Sequence, residues 1–125
     1  MKKLLISGGN GKLAKQVVLH NNCYEILAPS KEEMDITDID SVESFVRIHR
    51  PDIFLHAAAY TRPMSKHQEN PQLSLQINII GTANVVLACI EHKIKLAYIS
   101  TDYVYPGTTG NYKETDALMP YYGNN

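Results

Sequence analysis

The chain has 125 residues, the size of one domain, and is 44% apolar and 20% charged, as ordinary globular proteins are. A net charge of −1 supplies neither a basic surface for nucleic acid nor a polybasic patch for a membrane. Cys23 and Cys89 are too few for a disulfide framework and lack metal-ligand spacing, so no metal site is expected and both should be reduced thiols of a cytoplasmic protein.

The opening MKKLLIS turns to glycine too soon for a signal-peptide core, so residues 2–7 are expected as a buried strand. Leu13, Ala14, Val17 and Val18 then recur at helical spacing and predict a helix over 11–21. Residues 24–28 form a second apolar run, stopped by Pro29. Asp38 or Thr37 can cap a helix over 39–49, with Val42, Phe45, Val46 and His49 on its inner face and Pro51 after it. Residues 52–58 (DIFLHAA) predict a third strand running into a polar loop, YTRPMSKHQEN.

Asn70 before Pro71 is a helix start, a cap residue followed by proline at the first helical position. The helix predicted over 71–92 should carry an apolar side of Leu75, Ile79, Val86 and Ile90. Gly81 in its interior either permits close packing or lets a ligand approach. No apolar run is expected to reach membrane-spanning length. Residues 95–100 (KLAYIS) predict the fourth strand. Strand and helix alternate throughout, which selects a doubly wound parallel sheet of the Rossmann kind, an α/β fold.

Between the first strand and first helix, Gly8, Gly11 and Ala14 fit a spaced glycine pattern in the context that gives such a pattern meaning. Gly8 allows a tight exit from the strand. Gly11 lets backbone N–H groups approach a pyrophosphate at the positive helix end. The alternative is a glycine-rich turn that binds nothing. After the second strand, where an acid often takes a ribose 2′-hydroxyl, the chain offers Ser30 and Lys31. A hydroxyl and a cation suit a 2′-phosphate, so NADPH is expected over NADH; an ordinary solvated lysine is the alternative for Lys31.

Five segments, ISGGNGKLAKQ, MDITD, PDIFLHAAAYT, INIIGTANV and YISTDYVYPGTTGNYKETD, occur in an order and spacing that resembles the dTDP-4-dehydrorhamnose reductases and their relatives among the extended short-chain dehydrogenase/reductases. The resemblance implies NAD(P)H-dependent reduction of a nucleotide-linked 4-keto sugar, and it allows a homodimer. It implies that Gly8, Asn10, Gly11, Lys12 and Leu13 hold the pyrophosphate and that Asp35 and Ile36 meet the adenine. Ala57, Ala58 and Ala59 would line the cofactor groove, Tyr60 and Thr61 would continue it, and Asn78 would support its catalytic end. Thr101 would be the catalytic hydroxyl, with Asp102 and Tyr103 beside the substrate. In such chemistry a tyrosine donates a proton while a hydroxyl holds the carbonyl oxygen. Without a ligand, the same groups could merely cap the strand and build a turn through Gly107 and Gly110. His56, near the cofactor wall, is expected as a packed strand residue.

The pattern breaks near the last residues. Tyr122 precedes Gly123, as the family's proton donor often does, but the lysine expected four positions later would fall beyond Asn125. The true tyrosine can equally lie further on, which would make Tyr122 a neighbour only. Ser65 and Gln68 stand where the family commonly has acids. The chain is therefore expected to be the amino-terminal portion of a larger reductase, with its fourth strand incompletely covered. A sugar-nucleotide epimerase or dehydratase is the competing enzyme reading. A non-catalytic binding subunit, like the related regulatory partner of methionine adenosyltransferase, is the competing reading of another class.

Overall fold

The computed structural model describes residues 1–61, 63 and 65–119. Strand β1 (Lys2–Ser7) leads through the glycine loop into helix α1 (Lys12–His20), followed by β2 (Tyr24–Leu27), α2 (Ile39–His49) and β3 (Ile53–His56). Two short helices, α3 (Ser65–Glu69) and α4 (Pro71–Leu75), precede a π-helical segment, Gln76–Gly81, that continues into α5 (Thr82–Glu91). Strand β4 (Lys95–Tyr98) and a 3₁₀ turn, Asp102–Val104, complete the order.

All four strands are parallel, in the order β2-β1-β3-β4. Successive side chains of a strand point to opposite faces, and β1 uses both. Leu5 joins Phe54, Val42, Val46, Val85 and Ala88 on the face covered by α2 and α5. Leu4 and Ile6 pack with Ala14 of α1 on the other. Each of the larger side chains among them contributes about 1.5–3 kcal/mol on full burial. The chain leaves β1 toward β2 on one side and returns to β3 on the other, so the sheet's order reverses between β1 and β3. Ligands of open α/β sheets bind at the carboxyl ends of strands at that reversal.

Local signals explain most element ends. The Asp38 side chain accepts from the Asp40 N–H at 3.0 Å and caps α2, while the Thr37 hydroxyl donates to Asp35 at 2.8 Å. Asn70 caps α4 from the Leu73 N–H at 3.1 Å, with Pro71 first in the helix. Gly81 serves packing: a Cβ there would lie 2.8 Å from Ile36 Cδ1.

Three expectations need correction. The polar loop after β3 contains α3, a helix with no buried residue and hence no apolar periodicity to announce it. The apolar side read on the long helix is not its core face: Leu75 is 59% exposed, Ile79 62% and Ile90 69%, and Val86 is half-buried. Its buried residues are Gly81, Val85, Ala88 and Cys89 instead. Third, Pro71–Glu91 is one helical stretch of 21 residues, long and apolar enough by length and composition to cross a bilayer. Val85 and Ala88 of that stretch are fully buried against the sheet side, although only 22% of its apolar window is buried. Tyr98 of β4, at the sheet edge, and Ile99 just after it are exposed. Cys23 and Cys89 are free thiols.

Candidate active site: a dinucleotide cleft

The glycine loop is shaped by close approach. Gly8 adopts φ +74°, and a Cβ on it would lie 3.1 Å from Ala58 Cα. Gly9, which the spaced pattern passes over, is the tightest of all. Its Cβ would lie 2.3 Å from the Ala28 carbonyl oxygen, so the loop can cross the exit of β2 only as glycine. The Gly11 N–H donates to the Gly8 carbonyl at 2.8 Å, and no side chain caps α1 behind it. The first-turn N–H groups of that helix are therefore left for an anion. Asn10, Lys12 and Leu13 stand exposed around them.

Beside this loop lies a cleft of about 190 Å³, lined among others by Gly8, Lys31, Asp35, Ile36, Ala58 and Ala59. All six were expected at the cofactor, from four separate stretches of chain. Asp35 accepts from the Thr37 backbone N–H at 2.9 Å and from its hydroxyl at 2.8 Å, and Lys31 Nζ stands 3.9 Å from its other oxygen. Partial burial pushes the Asp35 carboxyl up, but Thr37 and Lys31 together outweigh it and hold the group below the ordinary carboxylate range. Asp35 is therefore an ionised acceptor facing an apolar slot, suited to an exocyclic amino group. Asn84 donates to the Ile36 carbonyl at 2.8 Å and fixes that side; sequence reasoning did not single it out.

Ser30 and Lys31 share their corner with two acids. The Ser30 N–H donates to Glu33 at 2.7 Å. The Glu32 carboxyl is held below its ordinary range by its own backbone N–H and then by the Ser30 hydroxyl.

Across the cleft, Ala57 and Ala58 both donate their N–H groups to Ser7 Oγ at 3.1 Å. Ser7 went unremarked in the sequence, although a hydroxyl closing a buried apolar strand was the available signal. Asn78 grips Tyr60 from the π-helical segment, accepting from its N–H at 2.8 Å and donating to its carbonyl at 2.9 Å. Such segments recur at functional sites. His67 of α3 adds a bond to the Thr61 carbonyl at 2.9 Å.

The third part of the site follows β4. Register aligns Ser7, His56 and Tyr98 across three strands, so the segment from Ile99 to Thr101 leaves the same end of the sheet as Gly8 and Ala57. Thr101 Oγ1 accepts from the Tyr103 N–H at 3.3 Å and caps the 3₁₀ turn. Asp102 and Tyr103 border a second, open cavity of about 1040 Å³ with Tyr105, Tyr112 and Gln68. The two cavities share no lining residue, so they are not closed into one pocket. Tyr122 lies outside the described residues.

A parallel sheet whose order reverses beside an uncapped glycine loop, an ionised acid and a wall of alanines places the chain in the Rossmann-like α/β class, with a candidate dinucleotide cleft at that reversal. The chain belongs to the RmlD substrate binding domain family, which matches it over residues 1–125. It is 35% identical over 124 residues to a dTDP-4-dehydrorhamnose reductase of Aggregatibacter actinomycetemcomitans, covering 96% of this chain and 42% of that protein. A crystal structure of dTDP-4-dehydrorhamnose reductase from Bacillus anthracis in complex with NADP superposes with a TM-score of 0.80 at 40% identity, covering 86% of this chain and 39% of that one. The ortholog from Clostridium acetobutylicum gives 0.83 at 31% identity, covering 94% and 43%. The chain thus spans less than half the length of each of these relatives.

Proposed function

We propose that this chain is the cofactor-binding portion of an NADPH-dependent reductase of a nucleotide-linked 4-keto sugar, of the dTDP-4-dehydrorhamnose type. The observation that carries the proposal is the slot beside the glycine loop, into which Gly8, Lys31, Asp35, Ile36, Ala58 and Ala59 converge. The names of two of the relatives described above, and the NADP bound to one of them, support the same reading.

When bound, NADPH supplies a hydride to a carbonyl carbon. The α1 amino terminus with Gly8, Asn10, Gly11, Lys12 and Leu13 would hold the pyrophosphate, and Asp35 would accept from the adenine amino group over Ile36. Ala57, Ala58 and Ala59 would admit the flat rings, with Tyr60 held by Asn78 at the far end. Ser30 and Lys31 favour a 2′-phosphate; the carboxylates of Glu32 and Glu33 narrow that preference. Thr101 accepts from Tyr103 through its oxygen, and a hydroxyl that accepts still has its proton to donate. Capping therefore orients this hydroxyl toward its work of holding a substrate oxygen, with Asp102 and Tyr103 alongside.

The reading assigns the protein to the cytoplasm, and its bare strip at β4 and α5 to cover by further reductase chain. Fluorescence titration with NADPH, followed by turnover of a dTDP-linked 4-keto sugar, tests it. Net NADPH oxidation is the expected result. An unchanged cofactor total with an altered sugar would favour an epimerase or dehydratase. Cofactor uptake without turnover of any sugar nucleotide would favour a regulatory subunit.

A further inference from the structure

Ser7, His56 and Thr82 form a buried line of hydrogen bonds across β1, β3 and α5. Ser7 Oγ lies 2.7 Å from His56 Nδ1, and His56 Nε2 lies 2.9 Å from Thr82 Oγ1. Ser7 is 0% exposed and His56 1%. A serine hydroxyl has one proton and two lone pairs. The N–H groups of Ala57 and Ala58 take both lone pairs of Ser7, so its proton must go to His56 Nδ1. That nitrogen is then an unprotonated acceptor, and the imidazole proton sits on Nε2 and is donated to Thr82. The bonding leaves one tautomer and one charge state.

We propose that neutral His56, fixed as the Nε2–H tautomer, is the positioning residue that holds the Gly8 turn and the Ala57–Ala58 wall in cofactor-binding geometry, and that its protonation releases them. The proposal rests on the dinucleotide reading above. A proton on Nδ1 would confront a hydroxyl whose lone pairs are both engaged, so Ser7 would have to surrender an alanine N–H. Those alanines border Gly8, whose Cβ position is only 3.1 Å from Ala58 Cα, so wall and loop move together.

Among the described residues, the groups packed on the ring are Ser7 from β1, Thr82 from α5, Phe54 edge-on from its own strand, and Tyr98 of β4 stacked at 5.5 Å. Tyr98 is the titratable member of that set, and the set contains no carboxylate to favour an imidazolium. Burial accordingly pushes His56 below the ordinary histidine range.

The test is calorimetric titration of the purified protein with NAD⁺ from pH 8 down to pH 5.5. NAD⁺ is the probe because a 2′-phosphate titrates near pH 6 itself. Near-UV circular dichroism confirms folding at each pH. Affinity should be flat at the upper end and fall by up to about tenfold per pH unit once His56 protonates. His56→Asn keeps an acceptor toward Ser7 and cannot protonate, so its profile should be flat. Ser7→Ala should weaken binding about tenfold at pH 8, and Ser7→Thr should restore it. Nitrogen-15 spectra of the wild-type imidazole should show the Nε2–H tautomer, a readout that needs no variant to fold. An Nδ1–H tautomer, a wild-type profile flat to pH 5.5, or a slope that persists in His56→Asn overturns the proposal. Absence of both NAD⁺ and NADPH uptake at pH 8 removes the dinucleotide reading and this proposal with it, whereas a flat profile on intact binding removes the proposal alone.

Discussion

Gly9 and Gly107 both sit in turns after strands of one sheet, yet they are glycine for opposite reasons. Gly9 has ordinary backbone angles and no room: its Cβ would lie 2.3 Å from Ala28. Gly107 has all the room it needs, with nothing within 4 Å, and a φ of +74°. The contrast extends to the regions around them. Beside local bonds such as Thr37 to Asp35, the cleft around the glycine loop has hydrogen bonds that join residues far apart in sequence, such as Ser7 to Ala58 and Ile36 to Asn84. Those after β4 are local, such as Tyr105 to Lys113 and Thr109 to Tyr112. The cleft beside the glycine loop is held in part by bonds across the fold, and the turns after β4 by bonds among their own residues.

The comparison is broken most directly by removing bulk from each region. Phe54→Ala, at the centre of the core, should cost about 3–5 kcal/mol in denaturant unfolding. Ile90→Ala, on the exposed face of α5, should stay within about 0.5 kcal/mol. Equal losses would mean that the bare face is packed in solution.

That face also marks the limit of what the sequence discloses. Elements alternated as expected, because buried parallel strands read as short apolar runs and the caps Asp38 and Asn70 are local signals. The orientation of the long helix did not follow. Its sequence is apolar on nearly every side, so no stripe selects a core face, and the π-helical turn at Gln76–Gly81 shifts the phase of everything after it. Of the cleft residues, Gly8 came from the spaced glycine pattern and Lys31 from its place after β2, while Asp35, Ile36, Ala58 and Ala59 came from the family resemblance. Gly9, Ser7 and Asn84 came from none of these, since each answers to a partner at least 19 residues away.

The glycines sharpen the comparison next. Gly9→Ala must displace backbone rather than a flexible side chain and should cost about 3 kcal/mol, with loss of NADPH binding in the same titration. Gly107→Ala should cost about 1 kcal/mol, the strain of a left-handed residue alone, and leave binding intact. Between them falls Asn78→Ala, which frees both backbone groups of Tyr60. At about 1 kcal/mol for each bond it should lose about 2 kcal/mol.

The smallest effect belongs to the local half. Tyr112 stacks on Tyr105 with centroids 4.9 Å apart, and its oxygen accepts from the N–H groups of Thr108 at 2.8 Å and Thr109 at 3.1 Å. The Thr108 side chain first, and then that of Thr109 with its backbone, pull the phenol down from 10 to about 7. A folded-state value below the unfolded one of about 10 makes the phenolate's contribution grow as pH rises from 7. It is complete above 10 and lost as pH falls back through 7. Tyrosinate absorbance should therefore show one of the 8 tyrosines titrating near neutrality, and Tyr112→Phe should erase that step. Because every bond involved spans four residues or fewer, NADPH affinity at pH 8 should not move. A shift in that affinity would show that the turn after β4 is coupled to the glycine loop, and the division between the two halves would fail.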